Sequence, residues 1–236
     1  MKTKLIAYIK LVRLKDIFSF FPVLVILGFL TTGTQIISDS ILATIGLFLV
    51  VLTAFAINDI EDAEDDALDP EKVHRNPISA KLISQKEAYL FFWFLSFLAF
   101  AILIEINLTL GIFGVFLHLV GFIYSYKPIR LKSKAFVDVL SHCFFLAAAQ
   151  IIFYGLLPGS RYGIEALCAT LGVAFFSIGG DLFNEIRDWE VDRKVGLNNT
   201  ASKLGLKVTQ NLEKSFKYLG IALVVMSVIL TILKVI

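Results

Sequence analysis

Seven apolar stretches, each about long enough to cross a bilayer, decide most of what this chain can become. A hydrocarbon core about 30 Å thick takes roughly 20 apolar residues in a helix, and such stretches are centred near residues 25, 49, 97, 116, 147, 173 and 226. The expected fold is all-α, a polytopic transmembrane helical bundle formed as a single domain over residues 1–236. Composition points the same way, because 57% of the residues are hydrophobic and only 18% are charged, which is not the profile of a soluble domain. The lipid bilayer is therefore the expected solvent. The net charge of +2 gives no reason to expect a nucleic-acid partner.

The charges between the stretches give an orientation. Of the 22 Lys and Arg, five precede the first stretch, four lie in 58–87, four in 124–134 and seven in 181–217, so 20 fall on alternate connections. By the positive-inside rule the N-terminus and these three loops are cytoplasmic, and an odd number of helices puts the C-terminus outside. The basic start MKTKLIAYIKLVRLKD resembles a signal-peptide n-region, but no small-residue cleavage site follows Ile17–Leu30, so it reads as a retained first helix. Cys143 and Cys168 both fall in apolar segments with no CxxC spacing and read as packing residues.

Acidic residues collect on the same side: 13 of 20 lie in windows 59–71 and 181–192. The first window reads Asn58-Asp59-x-x-Asp62-x-x-x-Asp66 and the second Asn184-Glu185-x-x-Asp188-x-x-x-Asp192, so one pattern occurs twice, each time at the end of an even-numbered apolar stretch. On a helix the spacing i, i+4, i+8 lines up Asn58, Asp62 and Asp66 on one face and Asn184, Asp188 and Asp192 on another, with Asp181 on that second face too. Like charges at i and i+4 cost a helix a few tenths of a kcal/mol per pair, so a cation is expected there. Hard oxygen ligands suit Mg²⁺, which is usually held by one or two carboxylates together with substrate phosphates. Two such faces predict a Mg²⁺-diphosphate site. The loop Tyr124-Ser-Tyr-Lys127-Pro-Ile-Arg130-Leu-Lys132, with Arg75 after the first motif, offers cations for diphosphate oxygens.

NDxxDxxxD after the second stretch, YSxxPxRLK after the fourth, and DxxxD with DRKxGxxxT after the sixth together resemble the UbiA superfamily of integral-membrane prenyltransferases, over residues 10 to about 210. The resemblance implies a helical bundle with a lipid-accessible chamber and a diphosphate site under the charged loops. It gives Asn58, Asp59, Asp62 and Asp66 the first-motif role and Asp188 and Asp192 the second, with Asn184 beside them. Metal would fall to Asp59, Asp62, Asp66, Asp188 and Asp192. Arg75, Lys127, Arg130 and Lys132 would contact the diphosphate, with Tyr124 near the reacting carbons. The family usually carries nine transmembrane helices against the seven found here, and dimerisation or an opening toward lipid would compensate. Glu185 also stands where the first motif has Asp59.

The expected activity is Mg²⁺-dependent ionisation of an isoprenyl diphosphate and transfer of the prenyl group to an aromatic or lipid acceptor. Two readings of the same fold stay open beside it, a terpene cyclase and a transferase moving a sugar phosphate onto a polyprenyl phosphate. From a different class, a divalent-cation transporter is disfavoured because the aspartates sit at helix ends rather than at the bilayer midplane. His118, His142, Asp138 and Gln150 are polar positions in or beside apolar helices, where polarity is expensive enough to suggest function. His118 reads as an interhelical hydrogen bond. Asp138 and His142, four apart on one face, are candidates to assist the acceptor, and the aromatic runs at 91–94 and 175–176 read as packing.

Overall fold

The computed structural model describes residues 2–70, 72–194 and 196–235, with the side chains of residues 2, 3, 191, 192, 194 and 235 outside the description. The chain is 79% helical, with no strand among the described residues. Among the described residues seven helices are long and apolar enough to span a membrane, and they coincide with the seven stretches read from sequence. In chain order the elements are α1 (Lys2–Leu11), α2 (Leu14–Thr32), α3 (Ser38–Glu61), α4 (Ala63–Asp66), α5 (Gln85–Ile106), α6 (Leu108–Ser125), a 3₁₀ turn (Leu131–Ser133), α7 (Val137–Cys143), a π turn (Phe144–Ala148), α8 (Ala149–Gly155), α9 (Ile164–Arg187), α10 (Trp189–Lys194), α11 (Thr200–Leu204) and α12 (Leu206–Val235). The fifth span is α7, the π turn and α8 taken together. They form two compact units: Met1–Pro22 with Ile41–Ile129, and Val23–Ser40 with Arg130–Ile236.

In the first unit, α5 starts on a capping box. Ser84 Oγ accepts from the Glu87 N–H, and Glu87 Oε2 accepts from the Ser84 N–H at 2.8 Å, satisfying two donors that a helix start leaves open. One residue, Asn107, ends α5 and caps α6, its Oδ1 accepting from the Thr109 N–H at 2.7 Å. A hairpin that tight needs small residues where the helices meet. A Cβ on Gly111 would stand 2.4 Å from Ile104 Cγ1, and one on Gly114 2.4 Å from Leu103 Cδ1. From α3, Gly46 makes room for the same Leu103. Helix α1 lies against α5 through the Lys4–Glu87 ion pair and the Tyr8–Phe91 ring contact. His118 meets its expectation: buried on α6, its Nδ1 is 3.1 Å from Thr53 Oγ1 of α3.

In the second unit, α9 and α12 pack backbone to backbone, as lipid-embedded helices do where small residues allow it. A Cβ on Gly220 would come 2.7 Å from Gly172 O and 2.6 Å from Phe176 N, and one on Gly179 2.9 Å from Glu213 O. The end of α2 is fastened to the end of α8. Thr34 Oγ1 donates to Tyr154 O at 3.2 Å, the Arg161 N–H donates to Thr32 O at 3.0 Å, and Gly28 leaves room for the Tyr154 ring. Cys143 and Cys168 are both buried and free, as packing residues should be.

Candidate active site

Both acidic motifs straddle a break between a spanning helix and a short one. In the first unit α3 stops at Glu61 and α4 begins at Ala63, leaving Asp62 between them at φ −89°, ψ −1°. In the second, α9 stops at Arg187 and α10 begins at Trp189, leaving Asp188 at φ −88°, ψ 4°. This is the sparsely populated region between helix and strand where many active-site residues sit. The ladder nonetheless runs through: Asp62 N–H donates to Asn58 O at 3.0 Å, Asp66 N–H to Asp62 O at 2.8 Å, and Asp188 N–H to Asn184 O at 2.9 Å. In the first motif the spacing inferred from a continuous helix therefore survives the break.

Around the first motif each side chain has a distinct setting. Asn58 Nδ2 donates to Asp62 Oδ2 at 3.2 Å, and Ser125 Oγ at the end of α6 donates to Asn58 Oδ1 at 3.4 Å. Asp62 is half-buried. Asp66 is 6% exposed, takes a hydrogen bond from Asn76 Nδ2 at 3.0 Å and lies 3.9 Å from the Arg75 guanidinium. Asp59 is fully buried, and Arg13 donates to its Oδ1 from Nε at 2.9 Å and from a terminal nitrogen as well, while Oδ2 has no partner. Arg13 stands at φ 46° in the turn between α1 and α2, which is how a residue 46 positions away reaches the motif. Burial works against the Arg13 charge, but the adjacent Asp59 outweighs it and the guanidinium pKa lies above its ordinary value.

Sequence reasoning missed the residues that hold this geometry. Asn76 also donates to Asp59 O at 2.7 Å and accepts from the Ile78 N–H at 3.0 Å, and Ser79 Oγ donates to Ala63 O at 2.6 Å. Together they clip the 67–84 connection back onto α3 and α4. Glu61 is buried and accepts from the Tyr89 hydroxyl and from the Lys127 N–H at 2.9 Å. Lys127 Nζ lies 2.6 Å from Glu64. Tyr124 is half-buried in the last turn of α6, next to Ser125.

Around the second motif, Asn184 is exposed and Asp188 is half-buried, gripped on both oxygens by its neighbour Arg187 at 2.9 and 3.2 Å. The side chain of Asp192 lies outside the described residues. Arg130 adopts φ 43° before the 3₁₀ turn that carries Lys132, and both are half-buried. Asp138, a candidate to assist the acceptor, accepts from Thr200 N–H at 2.6 Å and from Thr200 Oγ1. Glu185 Oε2 accepts from the Ala201 N–H at 2.6 Å. Two buried carboxylates thus take the first two N–H groups of α11, the donors a helix start leaves open. Thr200 is the threonine of DRKxGxxxT, and this contact accounts for it.

Among the described residues, seven spans, two of them (α3 and α9) ending in acidic motifs, define an all-α, multi-pass membrane protein. Residues 19–236 match the UbiA prenyltransferase family, and the chain belongs to that family. It is 26% identical over 209 residues to a 4-hydroxybenzoate octaprenyltransferase of Polynucleobacter asymbioticus, covering 87% of this chain and 71% of that one. It is 29% identical over 173 residues to a digeranylgeranylglyceryl phosphate synthase of Sulfolobus acidocaldarius, covering 70% and 58%. A solved UbiA homolog from Archaeoglobus fulgidus, bound to GPP and Mg²⁺, shares the fold with a TM-score of 0.75 at 20% identity, covering 96% of this chain and 86% of that one.

Proposed function

We propose that this protein is a Mg²⁺-dependent membrane prenyltransferase that ionises an isoprenyl diphosphate and transfers the prenyl group to an aromatic or lipid acceptor. The observation that carries the reading is the twinning of the acidic motifs, each with its central aspartate in the same backbone conformation at a helix break. Family membership over residues 19–236 and the GPP and Mg²⁺ of the Archaeoglobus fulgidus homolog support it.

The donor set fits Mg²⁺. Among the described residues no three His, Cys, Asp or Glu side chains gather into a metal-holding group, and Mg²⁺ shared with phosphate oxygens needs only one or two carboxylates from the protein. Asp62 and Asp66 of the first motif and Asp188 and Asp192 of the second would hold it. When bound, Mg²⁺ neutralises charge developing on the departing diphosphate. Asp59 differs in being committed to Arg13, and its part is to fix the end of α3. Arg75, Lys127, Arg130 and Lys132 bind diphosphate oxygens, the arginines in bidentate fashion. Asn58 orients Asp62, Asn184 stands one turn before Asp188 on α9 and faces the diphosphate, and Tyr124 lies toward the reacting carbons. The alternation of Lys and Arg supports a cytoplasmic N-terminus, with loops 58–87, 124–134 and 181–217 on that side.

The test is diphosphate release from geranyl diphosphate by purified protein in detergent, with Mg²⁺ and with chelator. Release should require Mg²⁺ and be abolished by Asp62→Asn and by Asp188→Asn without loss of fold. Metal-independent release, or near wild-type release in both variants, would overturn the assignment.

A further inference from the structure

The first unit carries a cleft of about 470 Å³ between α1, the segment 78–84 and the start of α5, lined by no residue of the acidic motif. Lys4 of α1 and Lys81 line it together with Glu87 of α5 and the apolar Ile78, Leu82 and Ile83. The one carboxylate is already engaged inside the fold. Glu87 Oε1 takes Lys4 Nζ at 2.5 Å, and Oε2 takes the Ser84 N–H and hydroxyl, each at 2.8 Å. An ammonium has three donors, so Lys4 keeps two of them after meeting Glu87. Lys81 is exposed and has no side-chain partner among the described residues. The charge left over in the cleft is therefore positive.

Lys81 also stands where the backbone favours glycine. Residues 77–82 close as a helix-ending turn, in which the Leu82 N–H donates to Pro77 O and the Lys81 N–H to Ile78 O, each at 2.9 Å. Lys81 supplies the left-handed residue of that turn, at φ 57°. Glycine is the usual occupant of such a position because a Cβ is strained there. The turn gains nothing from a lysine, whereas the cleft gains a charge.

We propose that this cleft binds an anionic phospholipid, its headgroup phosphate between Lys4 and Lys81 and an acyl chain running down α5. The surroundings suit a lipid rather than a free anion. Helix α5 is a span that begins at Gln85, so the cleft lies where a span leaves the bilayer, at the depth of the headgroups. Leu90, Phe94 and Phe97 follow Glu87 at steps of three and four, which keeps them on the same face of α5, and they are 64%, 60% and 75% exposed. Leu5, beside Lys4, is exposed as well. Cations at the top of an apolar stripe match a molecule with a phosphate at one end and hydrocarbon at the other. Basic pockets at the membrane surface favour anionic headgroups. The site is independent of prenyl transfer, and its test needs no turnover.

Native mass spectrometry of the full chain in detergent, titrated with dioleoylphosphatidylglycerol or dioleoylphosphatidylcholine and challenged with inorganic phosphate, tests the proposal. Phosphatidylglycerol should bind at least ten-fold tighter than phosphatidylcholine, and an equal concentration of inorganic phosphate should not displace it. Lys81→Gln should weaken phosphatidylglycerol binding about five-fold, the effect of one lysine at a membrane surface. Lys81→Gly should weaken it equally while leaving the lipid-free melting temperature unchanged or higher, since glycine relaxes the left-handed turn. Lys207→Gln, at an exposed lysine of α12, should leave the affinity as it is. Equal binding of the two lipids, displacement by inorganic phosphate, or wild-type affinity in Lys81→Gln would each overturn the proposal. So would an equal loss in Lys207→Gln, which would mark diffuse attraction to basic residues rather than a site.

Discussion

Replacing Arg13 with Met keeps an apolar stem in the turn between α1 and α2 but removes both donors to Asp59. Asp59 is fully buried and the Arg13 side chain is 16% exposed, so the change strands a carboxylate that water cannot reach. Removing one partner of a buried ion pair costs about 3–5 kcal/mol. Partial exposure of the arginine argues for the lower end, about 3 kcal/mol. For a chain of this size each kcal/mol moves the midpoint by roughly 2–4 °C, so the melting temperature in detergent should fall by roughly 6–12 °C. Adding Asp59→Asn to Arg13→Met removes the stranded charge and should recover more than half of the loss. Circular dichroism melts of the four proteins in the cycle decide it. A single variant within about 1 °C of wild type, or a double variant no more stable than Arg13→Met, would show that the pair does not anchor α3.

Two further outcomes follow from the same packing and a third from the alternation of Lys and Arg. Asn76→Ala removes donors to Asp59 O and Asp66 Oδ2 and should cost about 1–3 kcal/mol, with a rise in the Mg²⁺ concentration needed for half-maximal diphosphate release as Asp66 loses its orientation. Gly220→Val drives a side chain into the α9 backbone at Gly172 and Phe176, and it should abolish the monodisperse peak in detergent gel filtration, whereas Gly180→Ala, at a position with open space around it, should leave the peak intact. Single cysteines at positions 65 and 190 should both label from the cytoplasmic face with an impermeant maleimide, and labelling from opposite faces would contradict the orientation.

What the sequence made legible was what repeats at short range. The seven spans followed from hydropathy, and the alignment of Asn58, Asp62 and Asp66 followed from helical periodicity that persists through the break at Asp62. The interhelical role of His118 was legible because a polar ring in an apolar helix must find a partner, though only the fold supplies Thr53. Contacts distant in sequence were not legible. Nothing local distinguishes Arg13 from the other cations before α2, and nothing marks Asn76 as the clip between the 67–84 connection and α3. Asp138 makes the same point, since its four-residue spacing to His142 was legible but its bond from Thr200, 62 residues on, was not.

If the aspartate motifs bind metal and diphosphate together, calorimetric titration of Mg²⁺ shows it most directly. Run with and without a non-hydrolysable geranyl diphosphate analogue, it should show at least ten-fold tighter Mg²⁺ binding when the analogue is present, about 1.4 kcal/mol of coupling. By reciprocity Mg²⁺ should tighten the analogue equally, and Asp188→Asn should remove most of the coupling. Equal Mg²⁺ affinity with and without the analogue would contradict the account and return the aspartates to a role in cation passage.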